Sequence, residues 1–120
     1  MALNKNAKAW VRALRSGRYK QGKAYLHARG GKYCCLGVAC DLYKQQVLKT
    51  TKNPEYLKVN EGITLPAEVQ EWLGLSHHEG EFFDASEHDT KYLTGLNDKG
   101  TSFKEIAKVI ASEPEGLFVE

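Results

Sequence analysis

The sequence predicts a single α+β domain, about three helices packed on a small antiparallel sheet, and three observations carry that prediction. The chain has 120 residues, enough for one domain and too few for two. Apolar residues recur at helical spacing over residues 3–14, 35–42 and 103–110, while short runs around Gly30-Gly31 and at Tyr56-Leu57-Lys58-Val59 read as strands. Hydrophobic residues are 42% and charged residues 27%, a balance that lets a chain of this size bury about two-thirds of its unfolded surface without staples. Collagen-like, disordered and disulfide-knot classes are excluded on the same grounds. No apolar run approaches the roughly 20 residues that span a bilayer, so no membrane partner is expected.

Asn4 or Asn6 can cap a first helix, because a side-chain oxygen there accepts from the free amides of the first turn. Leu3, Ala7, Trp10, Val11 and Leu14 then share its apolar face, Lys5, Lys8, Arg12 and Arg15 line the opposite side, and Gly17 ends it. Arg18-Tyr19-Lys20-Gln21-Gly22-Lys23 is polar and basic and reads as a loop. Gly30-Gly31 supplies the positive φ angles of a tight hairpin between residues 24–28 and 32–34. Cys35 through Tyr43 reads as a largely buried helix, with Gly37 and Ala39 small enough to admit another element closely. Lys44, Gln45 and Gln46 mark its exposed end.

Residues 48–62 are loop-like apart from Tyr56–Val59, whose alternation predicts a strand beside the hairpin. Leu65-Pro66 opens a short helix through Leu73, with Val69, Trp72 and Leu73 apolar and Gly74 at its end. Residues 77–90 hold His77, His78, Glu79, Glu81, Asp84, Glu87, His88 and Asp89 with no Lys or Arg, and read as an exposed acidic loop around Phe82 and Phe83. Asp89 or Thr90 is expected to cap a short turn holding Tyr92, Leu93 and Leu96. Ser102-Phe103-Lys104-Glu105 is a capping box that opens a last helix with Phe103, Ile106, Ala107, Val109 and Ile110 as its stripe. Glu113-Pro114 stops it, and Leu117-Phe118-Val119 adds a short strand or packs on the core.

The net charge of +2 conceals a strong separation. Lys5, Lys8, Arg12, Arg15, Arg18, Lys20, Lys23, Arg29 and Lys32 fall in the first forty residues, which contain no Asp or Glu; all 15 acids follow. Such a distribution either builds a basic surface that attracts phosphates or is neutralised when the two halves fold together. Within the basic half, Arg15, Arg18, Lys20, Gln21 and Lys23 are interleaved with Tyr19 and Tyr25. Guanidinium forks grip phosphate and tyrosine rings offer faces for bases, so these seven residues are the predicted contacts for a nucleotide or nucleic-acid phosphate.

Other chemistries are weaker. Cys34 or Cys35 stands where a helix N-terminus stabilises a thiolate, the requirement for a cysteine nucleophile, but no base is placed beside them by the sequence. Cys34, Cys35 and Cys40 match no usual zinc spacing, so free buried thiols are expected, with no metal and no cofactor. Leu96 through Ile110 looks like the first half of a helix-turn-helix, but Ser112-Glu113-Pro114 stands where the recognition helix belongs. No phosphate-loop or dinucleotide fingerprint is present. The acidic segment offers an alternative, docking onto a basic host protein through Glu81, Phe82, Phe83 and Asp84.

The sequence resembles a family of small uncharacterised proteins of tailed bacteriophages and some bacteria. Three blocks carry the resemblance: Trp10 through Leu26, reading Leu14-Arg15-Ser16-Gly17-Arg18-Tyr19-Lys20-Gln21-Gly22-Lys23; Tyr33-Cys34-Cys35-Leu36-Gly37-Val38-Ala39-Cys40-Asp41-Leu42; and Leu65-Pro66 with Trp72-Leu73-Gly74-Leu75 and Leu96-Asn97-Asp98-Lys99-Gly100 with Phe103-Lys104-Glu105-Ile106-Ala107. It implies a phage or prophage setting and action in the host cytoplasm, which agrees with a first octet lacking an apolar stretch or cleavage site. It implies no activity and no site residue. The expected role is non-enzymatic binding in host takeover or counter-defence, with a two-fold dimer through Trp10 or Trp72 as a further expectation.

Overall fold

In the computed structural model, which describes residues 3–119, helix α1 (Lys5–Arg15) forms where capping and apolar spacing agree. The Asn4 side chain accepts from the Ala7 amide at 2.8 Å, while Asn6 instead donates to the Trp72 carbonyl at 2.9 Å. The buried Trp10 indole donates to the Cys35 carbonyl at 2.9 Å, tying α1 to helix α2 (Cys35–Tyr43). Trp10 is therefore core, not dimer surface. Trp72 is half-buried with its ring edge-on to Tyr43 at 5.4 Å.

Strands β1 (Lys20–Gln21), β2 (His27–Ala28) and β3 (Lys32–Tyr33) form one small sheet in the order β1-β3-β2. β2 and β3 pair antiparallel around Gly30 (φ 84°) and Gly31 (φ 74°), the turn conformation those glycines predict. β1, expected as loop, pairs parallel with β3, so the sheet is mixed and not purely antiparallel. Every residue of α2 from Cys35 to Leu42 is buried, and Gly37 lies directly against the backbone of Leu26. A π-turn over Lys44–Leu48 extends α2 into solvent.

Two expectations are corrected. Tyr56–Val59 is not a strand: Pro54 starts a 3₁₀ turn over Glu55–Leu57, closed by the Leu57 amide donating to the Pro54 carbonyl at 2.9 Å. The segment still meets the hairpin through single bonds, Leu26 to Gly62 at 2.7 Å and Asn60 to His27 at 2.9 Å. Residues 77–90 are not one open loop, because Glu81–Asp84 (β4) and Asp89–Tyr92 (β5) form an antiparallel hairpin. Its turn contains neither glycine nor proline. The Asp84 carboxylate takes that role, accepting from the Ser86 amide at 3.0 Å and the Ser86 hydroxyl at 2.7 Å. Lys91 then bridges Asp84 at 2.8 Å and Glu87, which holds the Asp84 carboxyl well below its usual range.

β5 runs straight into helix α4 (Leu93–Asp98), with Tyr92 at the cap in place of Asp89 or Thr90. Helix α3 (Ala67–Leu73) and helix α5 (Phe103–Ala111) start and stop where expected, and the Ser102 hydroxyl accepts from the Glu105 amide at 3.2 Å. α1 packs chiefly along α5. Leu117 closes the core, and Phe118 pairs with Leu75 in a single antiparallel bridge. Five α-helices and two small sheets are thus described, an α+β domain richer in short helices than predicted.

Candidate phosphate-binding surface

The outer side of α1 carries Lys5, Lys8, Arg12 and Arg15, all exposed, because the opposite side is committed to the core. Arg18, Lys20, Lys23, Arg29 and Lys32 follow, also exposed. Pairing of β1 with β3 sets Lys20 directly across from Lys32. Among the described residues, no cation of the first forty pairs with a carboxylate: every ion pair lies within residues 41–91. Contact neutralisation by the acidic half is therefore not how the fold disposes of this charge.

Lys5 and Lys8 in the first turn of α1 oppose the helix dipole, Arg12 and Arg15 in its last turn complement it, and like charges three or four residues apart repel by about 0.2–0.5 kcal/mol per pair. Like charges directly across a strand pair cost a similar amount.

The seven predicted contacts divide. Arg15, Arg18, Lys20 and Lys23 are exposed and unpaired among the described residues. Gln21 turns inward, its amide donating to Asn97 at 3.0 Å and to the Thr101 carbonyl at 2.7 Å while accepting from the Phe103 amide at 3.1 Å. All of its strong sites are taken, so Gln21 is a strut. Tyr19 donates to the Asp41 carboxylate at 2.6 Å, and burial together with that carboxylate pushes its phenol well above the ordinary value. Asp41, only 6% exposed, also accepts from Gln45 at 2.6 Å and pairs with Lys44 at 3.1 Å. The Tyr19 ring meets Tyr33 edge-on at 5.3 Å, and Tyr33 stacks on His27 at 4.6 Å. Tyr25 lines a cleft of about 590 Å³ with Glu61, Glu79 and Asp98, surroundings that repel phosphate. The Tyr19 ring is thus engaged within the fold, and Tyr25 faces an acidic cleft.

Lys32 and the α1 cations Lys5, Lys8 and Arg12 lie outside the seven-residue prediction. Lys32 was legible as basic but not as a neighbour of Lys20, because that depends on β1.

The docking alternative loses half of its apolar contact. Phe82 is 5% exposed and packs in the core, whereas Phe83 on the other side of β4 is 36% exposed, beside Glu81 and Asp84.

The thiols are poor nucleophiles. Cys34 does cap α2, but it is 4% exposed, and burial outweighs the helix amides and pushes its pKa up to about 11. Burial raises Cys35 and Cys40 as well. All three are free, and among the described residues no group of three or more His, Cys, Asp or Glu side chains is placed to hold a metal. Native protein is expected to resist iodoacetamide at neutral pH and to label fully in urea; rapid native labelling contradicts the burial. A thiol whose pKa rises on folding stabilises the fold below its ordinary value of 9.0 and loses that contribution as pH climbs through about 11. The urea midpoint should therefore fall between about pH 9 and 11, and a midpoint that stays flat across that window contradicts the assignment.

Fold and surface together define a small α+β domain whose N-terminal cations are exposed and, among the described residues, unpaired with carboxylates. The chain belongs to the family described as a domain of unknown function (DUF8296), whose model matches residues 3–114. No curated protein and no solved structure gives a significant match.

Proposed function

We propose that this protein is a non-enzymatic binder that holds a phosphate-bearing ligand on its basic N-terminal surface. The observation that supports this reading is the exposed set of cations in residues 5–32, none paired with a carboxylate among the described residues. Arg15, Arg18, Lys20 and Lys23 contact phosphate, with Lys32 beside Lys20. In the phage setting that the sequence resemblance implies, such binding serves host takeover or counter-defence in the host cytoplasm.

Thermal denaturation in the presence of mononucleotides, cyclic dinucleotides and short oligonucleotides tests it. A ligand at a hundred times its dissociation constant stabilises the fold by about 2.7 kcal/mol, a Tm rise on the order of 10 °C for a domain of this size. The double variant Arg15→Ser/Arg18→Ser should keep the unliganded Tm and lose about tenfold or more in affinity, since each charge-assisted bond contributes roughly 1.5–3 kcal/mol. Undiminished binding by that variant sinks the reading.

The half-exposed Phe83 keeps a second reading alive, in which the hairpin docks on a basic protein. Deleting the hairpin is a poor test because Phe82 belongs to the core. Phe83→Ala is expected to change stability by less than about 0.5 kcal/mol, as a surface substitution, while abolishing capture of any such partner.

A further inference from the structure

We infer that the ligand of the basic surface is the sugar-phosphate backbone of a nucleic-acid duplex, bound without sequence preference along α1. The inference rests on the phosphate-binding reading above and narrows it to one class of ligand. Lys5, Lys8, Arg12 and Arg15 form a single exposed stripe at spacings of three and four residues on a helix with no acidic residue. At a rise of 1.5 Å per residue the stripe is about 15 Å long, enough to cross a duplex major groove about 12 Å wide and bring its cations to the phosphates of both strands.

Three features exclude the neighbouring ligand classes. A small nucleotide needs a concave site, but these cations stand on the outside of a helix, and the cleft that Tyr25 lines is acidic. A single strand binds by base stacking, yet the Tyr19 hydroxyl is held by Asp41, its ring lies against Tyr33, and the one aromatic residue of α1, Trp10, is buried. An anionic bilayer is gripped by an amphipathic helix through its apolar face, and that face of α1 is already spent on the core. What remains is electrostatic grip on phosphates, which the exposed cations of α1 supply.

Fluorescence anisotropy of the full chain with a mixed-sequence DNA duplex of about 20 base pairs, an oligothymidylate of equal length, and ATP as competitor decides the matter, each between about 50 and 200 mM salt. The duplex is expected to bind regardless of sequence, with log K falling against log salt at a slope of about −4 and affinity dropping on the order of a hundredfold over that range. Lys8→Ala/Arg12→Ala should leave the protein folded, with a Tm no lower than wild type, and reduce the slope by about 2. Tighter binding of oligothymidylate, or salt-tolerant binding of ATP without duplex binding, overturns the duplex assignment and leaves the phosphate-binding reading standing. Capture by phosphatidylserine vesicles without duplex binding also overturns it. Binding of none of these overturns both.

Discussion

Gly37→Ala is expected to destabilise the domain by about 3 kcal/mol or more, because overpacking against backbone has no cheap relief. A β-carbon built on Gly37 falls 1.7 Å from the Leu26 carbonyl oxygen and 2.6 Å from its carbonyl carbon. Relief requires α2 to move away from the segment that carries β2. α2 is the most completely buried element and supplies Leu36, Val38 and Ala39 to the core, so its displacement spreads. Urea denaturation should show the loss directly, with a Tm fall on the order of 10 °C. A loss below about 1 kcal/mol would mean that the two elements are less tightly apposed than described.

The second large effect is expected at Asn97, which is fully buried at the end of α4. Its amide donates to the Gly22 carbonyl at 2.7 Å, and its carbonyl oxygen accepts from the Cys35 amide at 3.1 Å and from Gln21 at 3.0 Å. One side chain thereby holds the end of β1, the start of α2 and the Gln21 strut together. Asn97→Ala leaves these partners unpaired in the interior at roughly 1–3 kcal/mol each, so a total loss of about 3 kcal/mol or more is expected. The consequence reaches the surface. Release of β1 separates Lys20 from Lys32, so any Asn97→Ala protein that remains folded should bind polyphosphate more weakly than wild type, although no cation has been removed. Equal affinity in the folded variant would show that the β1–β3 pair takes no part in binding.

Where local chemistry decides structure, the sequence was readable. Asn4 and Ser102 cap the helices they precede, Gly30-Gly31 turns the hairpin, and Gly37 admits a neighbouring backbone. Misreadings fell where tertiary contacts decide. Tyr56–Val59 alternates like a strand, but Pro54 opens a 3₁₀ turn instead and the segment meets the β2 edge only through single bonds at Asn60 and Gly62, leaving Val59 44% exposed. The β4–β5 hairpin was hidden by its charge, since acidic residues resemble loop and the turn signal was Asp84 acting on Ser86, not a glycine. β1 is two residues long and exists because Gln21 is anchored from α4 and α5, a long-range fact with no local signature.

The binding surface shows the same division. Its charge was legible, because an acid-free stretch of forty residues is visible in one dimension. Its composition was not. Tyr19, Gln21 and Tyr25 were chosen for what their side chains can do, but partners distant in sequence, Asp41, Asn97 and Glu61 among them, had already claimed or repelled that chemistry.

Amide chemical-shift mapping of ¹⁵N-labelled protein, titrated with a short DNA duplex at low salt, tests the central claim most directly. Perturbations should cluster on the outer face of α1 and at Arg18, Lys20 and Lys32, leaving the β4–β5 hairpin and the acidic cleft of Glu61, Glu79 and Asp98 unmoved. Perturbations centred on that cleft or on Phe83, or no perturbation at any concentration, would contradict the assignment of the basic face as the binding surface.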